Sequence, residues 1–330
     1  MDEQGLPGGD VELTPLPGGT QNIMLIVDRG GRRYVLRRGP RHLRPGSNAA
    51  IAREMRLLSA LGATDVAHPR FIAGTPDPDV LGATFYLMEP VDGFNAADGL
   101  PAPYAASAEG RRAMGFALVD ALAGLAAVDH SAIGLDDFGR PEGFLERQVP
   151  RWLAEYERYA ATPGYPGGTF DDLDRIAGWL DDHRPAGFRP GLMHGDYHVA
   201  NVLYDHHVPK VAAIVDWEMA TIGDPLLDLG VLLAIWPNEP RQADLYESAL
   251  GRAGDLPGRA AIVDRYAQRS DRDLGALDWY TVMAAFKLGI ILEGTYARSC
   301  DGKAPRAVGD RLHRYAVGLF DRARQVISAC

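Results

Sequence analysis

Two short segments of the chain place acidic and amide side chains at a spacing that could support phosphoryl transfer. In residues 194–201, which read His-Gly-Asp-Tyr-His-Val-Ala-Asn, Asp196 precedes Asn201 by five positions, and Asp216 follows Asn201 by fifteen. Phosphoryl transfer needs one carboxylate to orient and deprotonate the attacking hydroxyl, and oxygen ligands that hold Mg²⁺ on the nucleotide phosphates. Because Mg²⁺ takes only one or two protein carboxylates, Asp216 and Asn201 would suffice as ligands beside a catalytic Asp196.

Lysine is nearly absent from the chain, which restricts the kinds of phosphate-binding site that it could form. Only Lys210, Lys287 and Lys303 occur, and none of them lies in the glycine-rich motif of a P-loop. The motifs His-Glu-x-x-His, Gly-x-Ser-x-Gly and Cys-x-x-Cys are also absent. The first ninety residues instead contain arginines that could form either a solvated surface or a phosphate-facing edge. These are Arg32, Arg33, Arg37, Arg38, Arg41 and Arg44.

Charge and composition argue against several kinds of partner. The chain has 330 residues and a net charge of -10, which is not the basic balance of a general nucleic-acid-binding protein. The N-terminus is acidic and lacks the apolar core of a signal peptide, and the longest apolar stretch, 282–292, is too short to cross a bilayer. Two cysteines, Cys300 and Cys330, cannot form a disulfide framework. We therefore expect a cytoplasmic protein without nucleic-acid or membrane partners.

The elements that must position these side chains divide the chain into two parts. Residues 1–90 predict several strands, a hairpin turn at Gly30-Gly31, and one helix that Ser47 could cap. From about residue 108 the apolar spacing becomes mainly helical, with short strands around the 194–201 segment. We predict an α+β fold in which residues 1–90 form a nucleotide-binding N-lobe. Residues 91–330 form a larger, mainly helical C-lobe with the catalytic loop, the metal site and the substrate-binding helices, as in a protein-kinase-like fold.

Three motifs together carry a family resemblance. They are the 194–201 segment, Ile-Val-Asp-Trp-Glu at 214–218, and Gly-Asp-Pro-x-x-Asp at 223–228. On these motifs the chain resembles the aminoglycoside phosphotransferase and choline kinase superfamily over most of its length. Two further segments, 34–40 and 216–220, look most like the branch of that superfamily that is associated with acyl-CoA dehydrogenases.

The resemblance implies specific roles for the acidic and amide side chains. Asp196 is implied to be the catalytic base, and Asn201 and Asp216 the Mg²⁺ ligands. His194 is implied to brace the loop rather than to react. Asp228, on an apolar helical segment, needs partners if it is buried, and we expect these to be backbone amides of the catalytic loop.

The nucleotide side departs from the usual kinase pattern, in which a strand lysine pairs with a helix glutamate. The resemblance places Arg37 in the position of that lysine and Glu54 as its partner. Phosphate binding would survive this replacement, since the planar guanidinium can bind two phosphate oxygens. The turn containing Gly19 and Thr20 would cover the phosphates, although an ordinary hairpin is an alternative.

The resemblance places the connector that binds adenine at residues 89–91. Because Pro90 has no N–H group, an amide donor to adenine there must belong to Glu89 or Val91.

Several alternatives stay open at this point. His194 and His198 could indicate a zinc hydrolase, although flanking strands argue against the helix that would place both rings on one side. Glu218 could join the metal site, since alternate residues of an extended segment share a face, or it could be a solvated carboxylate. The missing lysine also permits a nucleotide-binding scaffold without turnover.

The sequence therefore predicts an ATP- and Mg²⁺-dependent phosphotransferase that acts on a hydroxyl group of a small molecule. The acceptor could be hydroxyacyl-CoA-like, aminoglycoside-like or an amino alcohol. The branch resemblance favours the first of these, with Arg38, Arg41 and Arg44 as contacts for CoA phosphates. The sequence indicates no oligomeric state and no preference between ATP and GTP.

Overall fold

A computed structural model describes residues 5–16, 22–167, 170, 172–237 and 247–330 of the chain. Within these ranges the fold is α+β, as predicted: a small antiparallel sheet near the N-terminus is followed by a larger helical part. The predicted turn residues Gly19 and Thr20 lie outside the described residues.

The N-terminal sheet is antiparallel throughout and has the strand order β1-β2-β3-β5-β4. Its turn between β2 and β3 consists of Gly30 and Gly31, which have φ values of 57° and 72°. A two-residue hairpin turn of type I′ requires positive φ at both positions, so the predicted hairpin is confirmed. The strands are β1 (Val11–Pro15), β2 (Ile23–Arg29), β3 (Arg32–Arg38), β4 (Phe71–Thr75) and β5 (Phe85–Met88).

The register of β3 determines which arginine faces the inside of the molecule. Arg37 pairs with Met24 on β2 and with Tyr86 on β5, and its side chain is buried. Arg38, the next residue, lines a separate cavity on the other face of the sheet. Successive side chains of a strand point to opposite faces, so only Arg37 is directed toward the helix behind the sheet.

That helix is α1 (Ser47–Leu61), and its buried face includes Ile51, Glu54 and Leu58. Ser47 is its first helical residue rather than its cap, so the predicted capping role is wrong. Gly46 occupies the cap position at φ 86°, and the Ser47 hydroxyl instead accepts a hydrogen bond from the Arg44 amide at 3.0 Å. A left-handed backbone at this position favours glycine, which explains why the helix begins there.

The helical part is built around two apolar helices. Every residue of α6 (Leu226–Ile235) is buried, and α9 (Leu277–Cys300) packs against α6 and against α10 (Arg306–Ala329). A helix that is apolar on all sides is stable in water only inside a core, so α6 forms the centre of this part. The remaining helices are α2 (Ala102–Ala106), α3 (Ala108–Ala126), α4 (Gln148–Tyr159), α5 (Leu173–Asp182), α7 (Ala249–Ala253) and α8 (Arg259–Arg269).

Two small sheets, each of two antiparallel strands, lie between α5 and α6 in the chain and flank the predicted catalytic segments. One pairs β6 (Gly191–Met193) with β9 (Thr221–Gly223), and the other pairs β7 (Val202–Tyr204) with β8 (Val211–Ile214). The loop 194–201 therefore leaves one sheet and enters the other. The predicted lobe boundary at residue 90 falls between β5 and α2 and stays a prediction. Among the helices in the described ranges, none has the length and apolar character needed to cross a membrane.

Candidate active site

The buried carboxylate of Asp228 on α6 binds the backbone of the loop 194–201 at its first two residues. Its two oxygens accept hydrogen bonds from the amides of His194, at 2.5 Å, and Gly195, at 2.8 Å. These are the backbone partners that the sequence predicted. Burial raises the pKa of the Asp228 carboxyl to about 6, although the two amide donors counteract it. The carboxylate thus fixes the loop at the point where it leaves β6.

His194 has no ring nitrogen available for chemistry. Its Nε2 donates to the Val215 carbonyl at 2.9 Å, and its Nδ1 accepts from the Asp196 amide at 3.3 Å. The ring is fully buried, and burial lowers its pKa, so it is held neutral. Both nitrogens are used inside the protein, which favours the bracing role and argues against the zinc alternative.

Gly195 allows the loop to turn close to a neighbouring segment. It has a φ of 86°, and a Cβ atom at this position would lie 2.5 Å from the carbonyl oxygen of Met219. Both the left-handed backbone and the close approach require glycine. The turn brings the following residue, Asp196, to the surface of the loop.

Asp196 is bound by two residues of its own loop. Its Oδ2 lies 3.1 Å from Nδ2 of Asn201 and 3.4 Å from Nε2 of His198. Burial by itself would raise the pKa of Asp196, but His198 and the charge of Lys287 outweigh it and lower the pKa below its ordinary value. The side chain is still 32% exposed, so an acceptor can reach a carboxylate that is ionised at neutral pH.

Asp216 begins a short helical turn in the left-handed conformation, with a φ of 64°. The turn covers Trp217–Met219, and the indole of Trp217 donates to the Ile214 carbonyl at 2.9 Å. The segment is not extended, so the reason given for a shared face of Asp216 and Glu218, the alternation of side chains along a strand, is wrong. Both residues nevertheless line the same cavity. Burial raises the pKa of Glu218, and the neighbouring charge of Asp216 raises it further.

Arg37 joins the sheet to this turn. Its Nε donates to Glu54 at 2.9 Å, as the resemblance implied, and its Nη2 donates to Asp216 at 3.1 Å. Only 7% of Arg37 and 4% of Glu54 are exposed. Burial opposes the charged guanidinium, but the two carboxylates overcome it and raise the pKa of Arg37, so it stays cationic.

A cavity of about 400 Å³ lies between the N-terminal sheet with α1 and the segments that contain Asn201 and Asp216. We call it the nucleotide cavity. Its lining combines apolar side chains with a few charged and polar groups, the composition of a small-molecule site. Its lining includes Leu16, Met24, Arg37, Glu54, Leu58, Tyr86, Met88, Asn201, Leu203, Asp216, Trp217 and Glu218.

The predicted connector residues differ in their hydrogen bonding. The Glu89 amide donates to the Arg70 carbonyl at 2.9 Å, and its carboxylate pairs with the Arg70 side chain. The Val91 amide has no acceptor among the described residues. Of the two predicted donors, only Val91 therefore keeps its amide available for a nucleotide base.

Comparison with known proteins identifies the family to which this geometry belongs. Residues 12–263 match the model of the phosphotransferase enzyme family, which is most of the chain. The chain belongs to the phosphotransferase enzyme family. The superfamily resemblance inferred from the sequence motifs is thereby confirmed.

The relatives of this phosphotransferase include both a longer protein and solved structures. Mouse acyl-CoA dehydrogenase family member 10 is 29% identical over 96% of the chain, but the match spans only 29% of the mouse protein. The chain thus spans less than a third of that relative's length. A solved structure of a candidate aminoglycoside phosphotransferase from Ralstonia eutropha JMP134 is 28% identical, with a TM-score of 0.79 over 96% of this chain and 94% of that chain.

A more distant structure has the same fold. The GDP complex of aminoglycoside 2'-phosphotransferase-IIIa is 16% identical and has a TM-score of 0.65 over 94% of each chain. Together with the Ralstonia structure it confirms the predicted kinase-like fold.

One residue of the phosphotransferase site was missed by the sequence analysis. Lys287 on α9 donates from Nζ to the Gly195 carbonyl at 2.6 Å, and its charge acts on Asp196 and Asp228. Burial lowers the pKa of Lys287, while these two carboxylates partly counteract it. The sequence signal was present, because Lys287 is the one charged residue within the apolar stretch 282–292. Its position beside the loop depends on how α9 packs, which the sequence does not reveal.

Proposed function

We propose that this phosphotransferase transfers the γ-phosphoryl group of ATP to a hydroxyl group of a small molecule and depends on Mg²⁺. One observation carries the proposal: the Asp196 carboxylate lies 3.1 Å from Asn201, and Asn201 lines one cavity together with Asp216 and Arg37. These are the base, the metal ligands and the phosphate-binding cation that the reaction needs.

The proposed reaction uses Asp196 as the base. The acceptor hydroxyl donates its hydrogen bond to the Asp196 carboxylate, which takes up the proton as the hydroxyl oxygen forms its bond to the γ-phosphorus. The bond from the γ-phosphorus to the bridging oxygen breaks, and ADP leaves with that oxygen. Because its pKa is lowered, Asp196 is a weak base, and its main contribution is to orient the hydroxyl for in-line attack.

The residues at the site fit Mg²⁺. Nδ2 of Asn201 is directed to Asp196, which leaves its Oδ1 as a neutral oxygen ligand, and 45% of the Asp216 side chain is exposed. An amide oxygen with one carboxylate suits this hard cation. When bound, Mg²⁺ neutralises charge on the phosphates. Arg37, which Glu54 holds in place, supplies a further positive charge toward the same phosphates.

The nucleotide base is proposed to be adenine, bound near the Val91 amide. The solved relative in complex with GDP supports a nucleotide in this cavity, and GTP is therefore the comparison to make with ATP. Apolar residues such as Leu58 and Met88 give the cavity a wall for the ring.

The acceptor is proposed to be a hydroxyacyl-CoA-like compound. The match to relatives named as acyl-CoA dehydrogenase family members supports this class. The ammonium of Lys287 beside Asp196 disfavours a polycationic aminoglycoside, because like charges at short range repel. Arg41 and Arg44 are exposed in the loop before α1 and stay candidates for CoA phosphates, whereas Arg38 is on the opposite face of the sheet.

The test is consumption of ATP or GTP with Mg²⁺ over hydroxyacyl-CoA thioesters, amino alcohols and aminoglycosides. We expect Asp196→Asn to lower kcat on the active acceptor by about 10²–10⁴-fold, because the variant loses both the carboxylate that orients the hydroxyl and the acceptor of its proton. Asp92→Asn, whose side chain is 95% exposed, is the matched control and should keep full activity. Equal turnover by wild type and Asp196→Asn would show that the assignment of the base is wrong.

A nucleotide-binding scaffold without turnover is the second candidate, because arginine replaces the usual lysine. It predicts saturable binding of ATP with no phosphorylated product from any acceptor. A reducing compartment such as the cytoplasm fits either candidate, since both Cys300 and Cys330 are free thiols.

A further inference from the structure

A further cavity, of about 360 Å³, lies in the helical part between α6, α8, α9 and α10. It shares no lining residue with the nucleotide cavity. Its walls combine apolar side chains, such as Leu233 and Val263, with the guanidinium groups of Arg259 and Arg322. We call it the arginine cavity.

The two guanidinium groups of the arginine cavity form no salt bridge among the described residues. Within the described ranges, no carboxylate is at ion-pair distance from Arg259 or Arg322. Nη1 of Arg322 is buried without an acceptor, and its Nη2 reaches only the Trp236 carbonyl, at 3.4 Å. Leaving buried donors of a charged group unpaired is costly, so this arrangement calls for an acceptor that the described residues do not supply.

The two arginines also act on each other. Burial, and then the charge of Arg322, lower the pKa of Arg259 to about 10, and burial lowers the pKa of Arg322. Asp278 lines the cavity and offsets only part of the charge. An anion placed between the guanidinium groups would remove their repulsion and satisfy their donors.

Two other half-buried arginines of the helical part are in ion pairs. Arg265 makes two contacts of 2.7 Å with Asp120, and Arg324 on α10 contacts Asp172 at 3.0 Å. Arg259 and Arg322 thus differ from these two arginines in having no carboxylate at ion-pair distance among the described residues.

We propose that the arginine cavity binds a small organic oxyanion, a carboxylate or a phosphate carried on a short apolar body. The guanidinium fork matches the geometry of either oxyanion, and the apolar walls suit a short hydrocarbon chain. The volume of about 360 Å³ is ample for such a molecule, and the nucleotide is proposed to bind in the separate cavity that Arg37, Asn201 and Asp216 line.

Calorimetric titration of the full chain with inorganic phosphate and, separately, with butyrate tests the proposal and distinguishes its two oxyanions. We expect saturable binding of at least one probe, and a rise of at least tenfold in its Kd for both Arg259→Gln and Arg322→Gln. Arg311→Gln, an exposed arginine of α10, is the matched control and should bind like wild type. Arg37→Gln separates the two cavities, and it should also keep the affinity.

Urea unfolding of each variant in the absence of the probes tests whether the substitution has disrupted the fold. Because each glutamine variant removes one of two repelling charges, its urea midpoint should equal or exceed that of wild type. Failure of both probes to bind wild type would overturn the proposal. So would binding that survives in Arg259→Gln and Arg322→Gln, or binding that Arg37→Gln abolishes.

Discussion

Single side chains at this site are controlled mainly by the charges of their neighbours. Asp196 is partly buried, yet His198 and Lys287 lower its pKa, so it remains an anion. Arg37 is more deeply buried, yet Glu54 and Asp216 keep it a cation. Each functional charge therefore has a partner of opposite sign, which offsets the cost of removing it from water.

Replacing Arg37 by lysine tests whether the guanidinium geometry matters beyond its charge. Arg37 uses Nε for Glu54 and Nη2 for Asp216, and a single ammonium cannot reproduce both contacts. We expect the KM for ATP to rise about tenfold in Arg37→Lys, which corresponds to the loss of one charge-assisted hydrogen bond. Arg38→Lys, on the opposite face of the strand, should leave KM unchanged. Comparable KM values in wild type and Arg37→Lys would contradict a specific role for the fork.

Lys287→Met keeps the length of the side chain but removes the ammonium that donates to the Gly195 carbonyl. The carbonyl loses its donor and the loop loses one restraint, at a cost of about 1–2 kcal/mol. We expect kcat to fall about tenfold with little change in the KM for ATP, because Lys287 supports Asp196 and does not line the nucleotide cavity. Lys210→Met, at an exposed position, is the control. A change confined to the KM for ATP would argue against this role.

At the scale of elements, the catalytic loop is anchored by a helix that is distant in sequence. Asp228 on α6 accepts from the amides of His194 and Gly195, which precede it by 34 and 33 residues. In the folded protein its pKa is raised to about 6, above the ordinary value of 3.8. The folded protein therefore keeps this proton between about pH 4 and 6, where the unfolded chain has released it.

The stability that this proton contributes is complete below about pH 4 and is lost as the pH rises through about 6. Asp228→Asn has no such proton. We therefore expect the free energy of unfolding of wild type, minus that of the variant, to fall by on the order of 3 kcal/mol between pH 4 and 7. Urea unfolding across this range measures the difference, with the exposed Asp92→Asn as control. A difference that does not change with pH would rule out a raised pKa at Asp228.

At the scale of the whole molecule, the sheet part and the helical part are joined through α1. Arg53 on α1 donates to the carbonyls of Phe138 and Ala220, and its guanidinium lies 3.6 Å above the Phe138 ring. Both acceptors belong to the helical part and are buried. The nucleotide cavity lies between the two parts, so this joint helps to set its width.

Arg53→Gln should weaken that joint. We expect a loss of about 2 kcal/mol in the free energy of unfolding, from the hydrogen bonds and the ring contact, together with weaker ATP binding. Arg56→Gln is a matched control on the same helix. Its exposed ion pair with Asp137 should contribute less than about 1 kcal/mol. Equal losses of unfolding free energy in the two variants would mean that the contacts of Arg53 stabilise the protein no more than the exposed ion pair of Arg56.

The sequence predicted the elements well where the signal was local. The Gly30-Gly31 turn, the strand 191–193 and the helix over 47–61 follow from turn chemistry and apolar spacing within a few residues. The Ser47 cap was wrong because the choice between Gly46 and Ser47 depends on the backbone φ at residue 46. The shared face of Asp216 and Glu218 was explained wrongly for a similar reason, since the segment bends instead of extending.

The sequence by itself determined that Asp196 and Asn201 lie side by side, because they are only five residues apart and a short loop must bring them together. The family resemblance of the sequence also predicted the pairing of Arg37 with Glu54, which the structure contains. Only the tertiary structure decided that Arg37 contacts Asp216, 179 residues away, and that Lys287 supports the loop from α9. Contacts between residues so distant in the chain depend on how whole elements pack, and no local pattern of residue types encodes that packing.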